Sequence, residues 1–129
     1  MEKQASPLKR FTKTLIGFFE MLSDTYPEER DIRLAADGLK AIDATNPRLL
    51  LTMFMKNVYP TFRAPVLAKD ETAMIKLGHD VLNSQFSEMA FAFWIFDKHW
   101  KGMSEKDKEQ IWKWCTALVL LSEGALSAA

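Results

Sequence analysis

Cysteine is nearly missing from this chain. The single residue, Cys115, leaves no partner for a disulfide within the chain. Set in an apolar run, it reads as a small buried hydrophobe, and a lone thiol of that kind points to a reducing compartment. Histidine is as scarce. His79 and His99 lie twenty positions apart, and no His-x-x-x-His or Cys-x-x-Cys spacing occurs. That pattern offers no zinc motif, and two stray His–Asp neighbours ("HDVLN" and "DKHW") do not make a metal site. The five glycines are scattered, so no phosphate-cradling loop exists. Formal net charge is zero, which argues against a dedicated nucleic-acid binder. The longest uninterrupted apolar run, Met89 to Phe96, is far short of the ~20 residues that span a bilayer. The opening "MEKQASPLKRF" lacks the apolar core of a signal peptide. These absences predict a soluble, intracellular protein without a membrane association.

What is present suits a globular domain. Of the 129 residues, 48% are hydrophobic and 26% charged, enough for one domain with one core. Short tails are expected at 1–5 and 124–129. Aromatics reach 12%, and there are seven methionines, a residue that fills irregular cores and also lines adaptable surfaces.

Amphipathic segments follow one another with clear punctuation. Ser6 and Pro7 open the first as N-cap and first helical residue, and Leu8, Phe11, Leu15, Phe18, Phe19 and Leu22 fall on one stripe. Pro27, Glu28 and Glu29 read as the first turn of a second helix, with Ile32, Ala35, Leu39 and Ile42 inward. Gly38 weakens that helix by about 1 kcal/mol relative to alanine. Asn46 and Pro47 open a third, with Leu50, Leu51, Phe54 and Val58 inward and Arg48, Thr52 and Lys56 outward, ended by Pro60. Pro60 and Pro65 bound a short element with Phe62, Val66 and Leu67. Asp70 then caps a helix carrying Met74, Ile75 and Leu77. A helix over Met89 to Lys101 and another after Ser104 complete the set. Gly102 is placed for a left-handed cap, and Ser104 with Asp107 for a capping box. The short joint predicts an antiparallel C-terminal hairpin. The fold class expected is all-α, a compact bundle of about five to six helices.

The order "PEERDIRLA", then "NPRLLLTMFMKNVYP", then "KDE" resembles small helical proteins of unknown function from nucleocytoplasmic large DNA viruses. In those proteins an aromatic residue and a proline precede an acidic turn into one helix. Asn-Pro opens the next helix and Lys-Asp-Glu another. The resemblance covers Thr14 to Glu71. It implies an intracellular or virion-associated viral protein and carries no activity.

No catalytic constellation emerges. Cys115 beside a histidine is the nearest approach to a nucleophile pair, and its neighbours Trp114 and Leu118 predict an inert thiol instead. The expectation is a non-enzyme without cofactor or metal.

The remaining signal is surplus apolar surface. "FAFWIFDKHW" sets six rings, His99 included, into ten residues. Plotted as a helix, Met89, Phe93, Phe96 and Trp100 make the core stripe, with His99 a bystander at its edge. Trp94 falls in the polar arc with Asp97, Lys98 and Lys101, and Phe91 sits on the border. "FAFWIF" also suits a buried strand, but nothing comparable is available to pair with it. In the last helix Ile111, Trp114, Leu118 and Leu121 form the main stripe, leaving Trp112, Val119 and Leu120 around the side. Phe91, Trp94, Trp112, Val119 and Leu120 are therefore candidate interface residues. No acid lies between Asp43 and Asp70, so Arg48, Lys56, Arg63 and Lys69 form a candidate basic patch for an acidic partner.

The leading expectation is a structural or adaptor protein acting through protein–protein contacts, a homo-oligomer through the C-terminal hairpin. The alternative is a monomeric binding module with a groove for a partner helix or an apolar ligand. Nucleic acid is a distant third.

Overall fold

The structure, a computed structural model, describes residues 6–84 and 98–128. Six α-helices and one 3-10 turn account for most of them, and no strand occurs among the described residues. The helices are α1 (Pro7–Thr25), α2 (Arg30–Thr45), α3 (Pro47–Asn57), α4 (Tyr59–Ala68), α5 (Glu71–Ser84) and α6 (Glu105–Ser127); the 3-10 turn is Trp100–Gly102. The all-α class is as expected. The candidates Phe91 and Trp94 lie outside the described residues. So do most of the Met89–Lys101 segment, and with it the C-terminal hairpin, and the side chain of His79.

Local chemistry explains most boundaries. The Ser6 hydroxyl accepts from the Lys9 N–H at 3.1 Å, and Pro7 occupies the first turn, where its missing N–H is harmless. The Ser104 hydroxyl accepts from the Asp107 N–H at 3.1 Å, and the Asp70 carboxylate from the Ala73 N–H at 3.1 Å. Other boundaries differ from the sequence reading. Pro27 and Glu28 form a turn closed by the Glu29 N–H on the Tyr26 carbonyl, so α2 begins only at Arg30. The Asn46 side chain makes no capping bond; its backbone closes α2 and opens α3 instead. Pro65 lies inside α4 rather than bounding it, and Lys69, at φ 50°, is the left-handed residue that ends it. Gly102 has no positive φ and belongs to the 3-10 turn. The expected tail from Gly124 is helical as far as Ser127, and Ala125 is buried.

α1 is the centre of the molecule, packing on α2, α3 and α6. Its buried face carries Phe11, Leu15, Phe18, Phe19 and Leu22, with Leu8 half-buried at the start. Phe54 of α3 meets Phe11 edge-on at a centroid distance of 5.1 Å and Phe62 of α4 at 6.1 Å. One ring therefore ties three helices. α6 runs antiparallel to α1. Met21, late in α1, and Tyr26, which follows it, share a cleft with Asp107 and Ile111, early in α6. The Trp114 ring lies over Gly17, where an added Cβ would come within 3.3 Å of it.

Candidate functional site

Three surface features surround α6. The first is the α4–α6 seam. On α6, Glu109, Trp112, Thr116, Val119 and Glu123 recur every three or four residues and so share one row. Both ends of that row are tied to α4 and the residue that ends it. Glu123 accepts hydrogen bonds from the Tyr59 hydroxyl and, at 2.8 Å, from Arg63 Nε; Lys69 Nζ lies 3.5 Å from Glu109. Trp112 and Val119 sit between these ties and are buried, at 6% and 0% exposure. Their assignment as interface residues is therefore corrected: they are core, because α6 packs on α3 and α4 as well as on α1, and Trp100 packs against Trp112. Trp100 packs edge-on against Trp112 at 5.4 Å, and Lys108 lies over the Trp100 ring. Leu120, one step round from that row, is 56% exposed. It borders an open groove of about 460 Å³ with the rim of Trp112, Thr116, Ala117, Lys113 and the Lys69–Glu109 pair.

The same ties divide the basic patch. Arg63 and Lys69 spend their charge on α6 carboxylates. Arg48 and Lys56 are exposed on α3, and neither has an ion-pair partner among the described residues. They flank the second feature, a groove of about 350 Å³ between α3 and the end of α6, floored by Leu51, Met55 and the half-exposed Leu126. Sequence reasoning placed Leu126 in a tail and so missed it. The only available signal was the spacing of Arg48, Thr52 and Lys56 on one helix face.

The third feature lies where α1 meets the start of α6. Met21, Met103, Trp114, Tyr26 and Gln110 line a cleft with room for about 120 Å³. That is below the roughly 300–1,000 Å³ of small-molecule sites and suits a few waters. Beside it, His99 stacks on Tyr26 at 4.1 Å and its Nε2 lies 3.2 Å from Glu29, which also holds Lys98 at 2.7 Å. His99 is thus no bystander. Burial, aided by the Asp107 and Glu28 carboxylates, holds the Tyr26 hydroxyl above its ordinary pKa. Glu28, Glu29 and His99 bring ligand atoms within 4.8 Å of one another. The Lys98 ammonium already supplies the positive charge at Glu29, so the cluster is arranged as an ion-pair knot joining the start of α2 to the approach to α6.

Cys115 is fully buried on α6, and burial pushes its thiol pKa far up. No helix of the described residues is long and apolar enough to cross a membrane. No protein-family model, curated protein sequence or solved structure matches the chain.

Proposed function

We propose that this chain is a non-enzymatic adaptor that acts through protein–protein contacts and self-associates through the α4–α6 seam. The observation that supports it most is Leu120, 56% exposed beside an apolar groove with small residues, Thr116 and Ala117, along its length. Small side chains let a second helix approach, and covering the exposed Leu120 side chain would remove apolar surface from water. The rim carries both signs, Lys113 and Lys69 against Glu109, so two copies related by a two-fold axis are electrostatically compatible. Sedimentation velocity tests the reading. Wild type should associate at high micromolar concentration, and Leu120→Asp should shift it to monomer with unchanged helicity. A wild-type monomer across that range overturns self-association.

The α3–α6 groove favours a second reading, a monomeric binding module that takes a partner helix. A place in a virus particle or its host cell rests on the resemblance of Thr14 to Glu71 alone. The copy number of the protein per particle tests that setting.

A further inference from the structure

We infer that the groove between α3 and the end of α6 docks an acidic amphipathic helix of another protein. The inference rests on the binding-module reading and adds the chemistry of the partner. The groove has an apolar floor and a cationic rim: Leu51 and Met55 lie beneath, Leu126 stands half-exposed at one edge, and Arg48 and Lys56 face outward with Thr52 between them. Arg48 and Lys56 are eight residues apart on one helix, about 12 Å, two turns of a helix lying alongside. An amphipathic helix that puts leucines on the floor would present flanking acids at the same spacing.

Charge selects the partner's sign. No acidic residue occurs between Asp43 and Asp70, so α3 and α4 contribute none. Of the four cations in that stretch, the two on the α4 side are neutralised by Glu123 and Glu109, while Arg48 and Lys56 are left facing solvent. Two cations beside a leucine make a poor footprint for nucleic acid, whose binding grows with the number of phosphates neutralised. They match a short acidic helix well.

Fluorescence anisotropy with synthetic peptides tests this. The probe is a labelled helix of about 18 residues, roughly 27 Å long, with leucines on one stripe and glutamates flanking it. A second peptide replaces the glutamates by glutamine, and a third by lysine. The acidic peptide should bind best, lose affinity as salt rises, and bind about tenfold more weakly to Arg48→Glu/Lys56→Glu. Leu126→Asp should weaken the acidic and glutamine peptides alike. Both variants alter exposed side chains, and circular dichroism checks their folding. Equal binding of the acidic and glutamine peptides overturns the acidic partner and keeps the binding module. Binding of none of the three overturns both. Tighter binding of single-stranded RNA or of phosphatidylserine vesicles than of the acidic peptide also overturns the inference.

Discussion

At the scale of single residues, the structure separates side chains that hold the fold from those free to act outside it. Phe54 touches both Phe11 and Phe62, so its loss is felt in three helices. Phe54→Ala should cost about 3–5 kcal/mol, a large share of the roughly 5–15 kcal/mol that ordinary domains possess. Urea unfolding would measure it. Cys115 should stay unreactive toward a thiol reagent such as Ellman's until the chain unfolds, because burial disfavours its thiolate. Rapid labelling of native protein would contradict the burial of α6. Here the sequence was a good guide: the apolar neighbours of Cys115 already pointed to an inert thiol. It was a poor guide to His99. Nothing in the spacing of Tyr26, Glu29 and His99 reveals that they meet, since their contact comes from the packing of elements roughly seventy positions apart.

Helix ends and helix faces make up the next scale. Ser6→Ala and Ser104→Ala should each cost about 0.5–2 kcal/mol, since each removes an acceptor for an orphan N–H of a first turn. Lys69 ends α4 in the left-handed region, which costs a side-chain-bearing residue about 1–2 kcal/mol. Lys69→Gly should therefore hold or slightly raise the melting temperature, despite losing the exposed contact with Glu109. The starts of α1, α5 and α6 were legible because their caps are local. The inward faces of α1 and α3 were legible because each has one dominant apolar stripe. α6 was harder. It is covered by α1 on one side and by α3 and α4 on another, and a single-stripe reading turns its second buried row, Trp112 and Val119, into an apparent interface. The ion pairs that frame that row are long-range and have no signature in the local pattern.

For the whole molecule, the tie between Tyr59, Arg63 and Glu123 links stability to pH. Hydrogen bonds from Tyr59 and then Arg63 hold Glu123 below its ordinary value of 4.5. A depressed carboxylate contributes stability above its unfolded value and loses it as pH falls through the folded one. Tyr59 behaves in the opposite sense. Its bond to Glu123 holds it above 10.0, so its contribution is complete below that value and fades as pH rises through the folded one. The stability difference between wild type and Tyr59→Phe should then be flat near neutrality and shrink at both extremes. Denaturant titrations across pH would measure it, and a difference that grew in acid would contradict the tie.

The antiparallel pairing of α1 with α6 has a consequence in time. Gly17 and Trp114 meet although they lie roughly a hundred positions apart. At about 5–20 residues per second, the ribosome needs on the order of 5–20 s to make the stretch between them. Throughout that interval α2 and α3 shelter only part of the face that Phe18 and its neighbours present. A chain stopped after Gly102 should accordingly bind a hydrophobic dye and sediment as aggregate. Of the six described helices, the one made earliest is the one whose surroundings are finished last.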